Sequence, residues 1–417
     1  MPCCFSRVQM TKSLRFSTTL ADLDSIFPFS KGGTTCQPPQ QKFSQRGVSI
    51  PPVNLESIIS LIRPNDLEGK IKITEYFFKV PRDWNKPDDT KHHLTLFARA
   101  ARRLEKPADP TEEKKKDLPW LVYLQGGPGF GCSSPEHSSW INTILDRGYQ
   151  VLCLDQRGTG LSTPVTASTL GLRGDDELQA RYLKSFRADS IVRDCEAVRK
   201  ALTTDLPVEK QKWSIMGQSF GGFCCITYLS FFPEGVREAF IFGGLPPLVS
   251  GPDEVYKRLF KTITERNKAY YEKFPEDVGK VHCILNFLQK FGDHTVQDMT
   301  QEGYLTARRF MQLGIHFGFH GGLDMVHDLV LRAQNDLDLF GHITRPTVSK
   351  ITTALPFNDA IIYAVLHEPA YCQGSASNWS AHRIKETQGE NFKFAQDGPV
   401  YFTGEMVNLL TYHNEPC

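Results

Sequence analysis

Three absences narrow this chain of 417 residues before any motif is read. No apolar run approaches the roughly 20 residues that a helix needs to cross a bilayer. The charges nearly cancel, 48 Lys and Arg against 47 Asp and Glu, so no single-signed field favours nucleic acid or an anionic membrane. No Cys-x-x-Cys pair occurs among the eleven cysteines. Their odd count, and the place of Cys153, Cys224, Cys225 and Cys283 inside apolar runs, read as small hydrophobes in a reducing compartment. No internal repeat is visible. What remains, 40% hydrophobic and 23% charged, is the composition of a soluble globular protein with room for one large core plus an insertion.

Residues 1–50 carry Arg7, Lys12, Arg15, Lys31, Lys42 and Arg46 against Asp22 and Asp24, are rich in Ser and Thr, and have no sustained apolar stretch. They resemble an organelle transit peptide more than a secretory signal, with a disordered tail as the alternative. The expected location is cytoplasmic or, if they are a transit peptide, organellar (plastid or mitochondrion). The sequon Asn378-Trp379-Ser380 matters only in a secretory pathway.

Lys70–Val80 and His93–Arg99 are β-branched and aromatic and are joined by a Pro/Asp/Asn turn, which predicts two antiparallel strands at a sheet edge. The mixed charges of Arg102–Asp117 predict a solvated loop. Trp120–Leu124 and Tyr149–Leu154 are apolar runs of buried-strand length, each ending in a glycine-rich loop. Asp189–Leu202 has helical spacing and leads to a third run, Trp213–Met216. Val236–Phe242 predicts one more buried strand. Strands alternating with helices predict an open, mostly parallel α/β sheet with its site along the strand C-termini. From about Gly251 the rhythm is lost. Helical periodicity over Asp253–Thr264, Tyr304–Leu313 and Asp359–Leu366 predicts a largely helical cap.

The run Gly217-Gln218-Ser219-Phe220-Gly221 follows the third strand and precedes an apolar helix. A serine on so tight a strand-to-helix turn needs small neighbours, because the strained backbone passes close to the sheet while lifting Oγ clear of it. Ser219 is the candidate nucleophile. Acyl transfer also requires amide donors for the oxyanion. The N–H of Phe220 is one candidate; the second lies in Gly126-Gly127-Pro128-Gly129, with Gly127 favoured. A rival reading takes that loop as a dinucleotide turn and Asp155 as its ribose acid, but Cys132 breaks the Gly-x-Gly-x-x-Gly spacing and Pro128 removes an amide.

Taken together, Gly-Gly-Pro-Gly after the first central strand, Asp155-Gln156-Arg157-Gly158-Thr159-Gly160-Leu161-Ser162, Ile191–Arg199 and Gly-Gln-Ser-Phe-Gly-Gly resemble the proline iminopeptidase family of α/β-hydrolases, from about residue 65 to near 407. One departure is Gln125, where many members have His. The resemblance implies an α/β-hydrolase core over 51–250, a helical cap over 251–407 and a non-family tail over 408–417. It implies release of N-terminal proline or another small residue from peptides, with no metal or organic cofactor, while the balanced charge and the lack of long apolar runs predict no nucleic-acid or membrane partner. Arg157 would brace the site by pairing with a carboxylate. Glu368 in His-Glu-Pro-Ala-Tyr and Glu405 in Thr-Gly-Glu-Met would take the substrate's ammonium, which is costly to desolvate without a partner.

The family orders its triad Ser, acid, His, the last two on loops after further core strands that need roughly 60 to 80 residues. Pro399–Thr403 falls within the cap by resemblance and only fourteen residues follow it. The sequence therefore reads as a truncated or alternatively spliced product with neither triad acid nor base nameable. His413 has no strand to hold it, and His316, His320, His327, His342, His367 and His382 read as structural or surface groups. Asp155 and Asp189 precede Ser219, the wrong side for this order. The expected outcome is an impaired serine aminopeptidase; the alternatives are a non-catalytic binder of peptide N-termini or a general esterase. Loss of two sheet strands would leave an apolar edge open to aggregation.

Overall fold

In the computed structural model, the described residues are 55–404 apart from 64–70, 88, 90, 91, 104–117, 250, 291–295, 297–303, 356, 358, 395 and 396. The transit-like segment, Glu405, His413 and the 408–417 tail lie outside them.

Seven strands form one sheet in the order β1-β2-β3-β5-β4-β6-β7. They are β1 (Leu55–Arg63), β2 (Ile71–Pro81), β3 (His93–Arg103), β4 (Trp120–Leu124), β5 (Gln150–Leu154), β6 (Trp213–Gln218) and β7 (Val236–Phe242). β1, β2 and β3 are antiparallel, and β3 joins antiparallel to β5. β5, β4, β6 and β7 run parallel. The edge strand β1 was not anticipated; it places β2 and β3 one position further in.

The continuous apolar runs of β4, β5 and β6 follow from burial on both faces. Leu121, Val151, Cys153 and Met216 meet Ile141 and Leu145 of α1 (Ser139–Asp146) on one side. Val122, Leu124, Leu152, Leu154 and Ile215 meet α2 (Ala188–Thr203) and α3 (Phe220–Phe231) on the other. β7 departs from the expectation of a buried strand. Arg237, Glu238, Ala239 and Phe242 are exposed. Only β6 pairs with it among the described residues, so its composition is that of a core strand and its position is that of an edge.

Beyond Gly251 the longer helices are α4 (Asp253–Lys273), α5 (Asp277–Lys290), α6 (Gly322–Phe340), α7 (Arg345–Thr353), α8 (Ile361–Leu366) and α9 (Ser380–Glu386). They enclose a second apolar cluster around Phe260, Tyr270, Ile284, Phe310, Phe317 and Phe402. Pro399–Thr403 takes no strand pairing. Tyr271 Oη donates to the Val400 carbonyl, and Asn267 holds both backbone groups of Phe402. The helix expected over Tyr304–Leu313 is confined to Ala307–Met311 and passes into a 3₁₀ turn, Gln312–Gly318. At Gly314 an added Cβ would stand 2.7 Å from Phe402 Cβ, which shows how closely the turn is pressed on that segment. Cys283 corrects the reading of apolar-run cysteines: it lies on the outer face of α5, opposite Val281, Ile284, Leu285 and Leu288, and is exposed. Cys153 and Cys225 are buried, and burial pushes both thiols up to about 12.

Candidate active site

Ser219 joins β6 to α3 at φ 54° and ψ −122°, a conformation that a non-glycine residue holds only when its surroundings impose it. They do so from both sides: Ser219 N donates to the Phe242 carbonyl at 3.0 Å, and Gly222 N donates to the Ser219 carbonyl at 2.8 Å. The flanking glycines are demanded by close approach. A Cβ on Gly217 would lie 2.1 Å from the Gly221 carbonyl oxygen, and one on Gly221 would lie 1.9 Å from that of Leu124.

Ser219 opens into a cavity of about 370 Å³ whose floor is Gly127, Ser219 and Phe220. Phe220 is the first residue of α3, so its N–H has no intrahelical acceptor. Among the described residues nothing accepts the Gly127 N–H either. Gly127 and Phe220, whose amides were chosen from sequence, thus line one cavity with Ser219. Gly126 packs under the turn, and its added Cβ would meet the Gln218 carbonyl at 2.8 Å. The Gly127–Pro128 peptide is cis. At Gly129 an added Cβ would strike Tyr363 N at 2.8 Å, because α8 rests directly on this loop.

Asp155 ties the two glycine loops together. Its Oδ1 accepts Cys132 N at 2.7 Å and its Oδ2 accepts Leu161 N at 2.9 Å. Burial pushes this carboxyl above its ordinary value, against the pull of those two amides. Both oxygens are engaged by backbone amides, which assigns this carboxylate to holding the two loops and lends no support to the ribose-acid role of the rival reading. Arg157 is fully buried and forms a two-pronged pair with Asp194, Nε to Oδ2 at 2.7 Å and Nη2 to Oδ1 at 2.6 Å. Its remaining donors go to the carbonyls of Pro81, Arg82 and Ser185, and Trp84 Nε1 donates to Asp194 at 2.9 Å. The arginine therefore ties the 155–162 loop to α2 and to the end of β2.

The ceiling comes from beyond Gly251. α4 turns Glu254, Val255, Arg258 and Leu259 toward the cavity, the i, i+1, i+4, i+5 face of one helix, while Tyr256 and Phe260 are buried in the cap. His367, Ala370 and Tyr371 close another side, with the His367 ring stacked on Tyr363. Arg187 holds this segment to the core through the carbonyls of Pro369 and Cys372. Glu368 is buried, but both its oxygens accept amides of the α9 N-terminus, Ser380 N at 2.6 Å and Ala381 N at 3.0 Å. It is not among the side chains that face the cavity. Sequence reasoning missed Glu254 and Arg258, since charges one turn apart on a periodic helix look the same on a solvated face as on a pocket wall. It also left the partner of Arg157 unnamed, although Asp194 stood in a quoted motif.

No histidine or carboxylate among the described residues hydrogen-bonds to Ser219. His316 contacts the Ala354 carbonyl, His327 contacts Asp277, and His342 contacts the Phe340 carbonyl. Glu276, Asp277 and His327 lie close enough together to suggest a metal cluster, but the Lys280 ammonium already sits 2.8 Å from Asp277.

Comparison with known proteins decides the family. An α/β-hydrolase fold model matches residues 119–292. A proline iminopeptidase of Aspergillus aculeatus is 44% identical over 343 residues, 82% of this chain and 73% of the relative. One of Aeromonas sobria is 38% identical over 345 residues, 82% and 75% of the two chains. The chain belongs to the proline iminopeptidase family of α/β-hydrolases. Family membership accounts for the parallel sheet, the serine turn and the glycine loops as one apparatus for serine-dependent aminopeptidase chemistry. No helix among the described residues is long and apolar enough to cross a membrane.

Proposed function

We propose that this chain binds peptides by a free N-terminus and releases an N-terminal proline or other small residue, with Ser219 Oγ attacking the first peptide carbonyl. The oxygen of the tetrahedral intermediate is received by the N–H groups of Gly127 and Phe220. Collapse expels the shortened peptide as an amine, and water then hydrolyses the acyl-serine. The observation that carries this reading is Ser219 in its strained turn, opening into one cavity with both free amides. The substrate's ammonium needs a carboxylate, and Glu254 offers one in the wall. Glu368 follows His367 in the chain and keeps acceptor capacity on each oxygen beyond its helix contacts. Glu405 remains part of the proposal from family resemblance alone.

Because no described side chain takes the Ser219 proton, slow turnover with retained binding is the expected behaviour of the 417-residue chain. Proline-arylamide hydrolysis measures it directly. A rate typical of an enzyme, abolished in Ser219→Ala, would overturn the expectation of impairment; no rate and no binding of proline-led peptides would overturn the peptide reading itself. Residues 1–50 are proposed as an organelle-directing segment, checked by the location of a fluorescent fusion with and without them.

A further inference from the structure

The polar ceiling of the cavity is not electrically balanced. On α4, Asp253 is matched by Arg383 at 2.8 Å and Glu254 by Lys257 at 2.7 Å. Arg258, one turn beyond Glu254, has no ion-pair or hydrogen-bond partner for its guanidinium among the described residues, yet it lines the same cavity as Ser219. The cavity volume of about 370 Å³ is at the small end of the ~300–1,000 Å³ found for ligand pockets. A bound peptide must therefore end close to its scissile bond or leave the cavity.

We infer that Arg258 receives the C-terminal carboxylate of a short peptide, making zwitterionic dipeptides the preferred ligands of this site. The inference rests on the peptide reading above and names its substrate class. The chemistry fits at three points. A guanidinium presents a planar fork of donors that matches a carboxylate with two parallel hydrogen bonds. Glu254 and Arg258, as an i, i+4 pair, place their Cβ atoms about 5–6 Å apart. A dipeptide's ammonium and carboxylate are separated by a comparable span, since consecutive Cα atoms lie 3.8 Å apart. The Lys257 contact with Glu254 is exposed on both sides and is the kind of pair that yields to a better partner. A peptide amide, or a longer peptide whose carboxylate lies outside the cavity, has nothing to offer Arg258.

The test is calorimetry with the full chain carrying Ser219→Ala, so that binding is read without turnover. The probes are prolyl-glycine, its C-terminal amide and N-acetyl-prolyl-glycine. The free acid is expected to bind about tenfold more tightly than the amide, and the preference is expected to shrink with added salt. Arg258→Gln should bring the ratio near one while leaving the amide's affinity unchanged, and Arg258→Glu should reverse the preference. Arg258 is exposed, so neither change disturbs the core, and unaltered thermal melts check this. Equal binding of acid and amide by the starting chain, or a ratio unmoved in Arg258→Gln, would overturn this inference alone. Failure of every probe to bind would overturn the peptide reading and this inference with it.

Discussion

The floor and the ceiling of the Ser219 cavity are built on different terms. The floor is backbone held against backbone: Gly217, Gly221 and Gly126 have no room for a Cβ, and the loop behind them is locked by Arg157 and Asp194 at full burial. The ceiling is a set of side chains on one helical face, of which Glu254, Arg258 and Leu259 are exposed. The lesson is that the serine turn tolerates almost no change in residue size, whereas the helical wall opposite it is a surface where substitution costs little. Sheet strands repeat the contrast, for β6 is buried along most of its length while its parallel neighbour β7 is open, with Phe242 53% exposed.

The sharpest way to break this comparison is to change one side chain on each surface. Gly221→Ala drives a Cβ into the Leu124 carbonyl of β4, and backbone on both sides cannot move aside. Its expected cost exceeds about 4 kcal/mol, whereas Leu259→Ala on the ceiling should cost under about 1 kcal/mol. Urea unfolding of the two variants decides it, and similar losses would show that the floor is softer than its geometry. Next in size is Arg157→Met, which leaves Asp194 buried without its cation and should cost about 3–5 kcal/mol. Adding Asp194→Leu should recover most of the loss; if the double variant is no better than the single, the pair is more than a matched charge.

Glu368→Ala removes the acceptor for two amides at the start of α9 and should lower stability by about 1–3 kcal/mol, with Glu368→Gln losing less. Read beside dipeptide binding, this pair of variants separates a helix-holding role from an ammonium-holding one, because only the latter moves affinity in the Gln variant. The smallest effect belongs to Asp253, whose carboxyl is held below its ordinary 3.8 by hydrogen bonds from Arg383 and Ser380. A lowered folded-state value means that the stabilisation is present above pH 3.8 and is lost as the pH falls through the lowered value. Asp253→Asn should therefore differ from the parent chain at pH 6 and converge with it in strong acid. A gap in melting temperature that persists unchanged into acid would contradict the assignment.

The α/β layering and the glycine-flanked serine turn were legible because each is enforced locally. A strand buried on both faces must be apolar throughout, and a turn that packs backbone on backbone must be glycine. The reading failed where identity depends on what lies opposite. β7 has the residues of an interior strand and the environment of an edge. Cys283 sits in an apolar run yet faces outward, because α5 has two faces and only one meets the cap cluster. At Glu368 the fold adds what its neighbours in sequence did not announce, two amides of α9, which begins twelve residues later.

What the sequence by itself determined is therefore the serine turn and the order of strand and helix that carries it, since periodicity and glycine spacing are written along a single segment. Only the tertiary structure decided that Asp194 answers Arg157, that α8 seals the glycine loops, and that Glu254 and Arg258 form a wall rather than a solvated face. Those pairings join segments as far apart as Gly129 and Tyr363, and a charge on a helix acquires its role only from the surface brought against it.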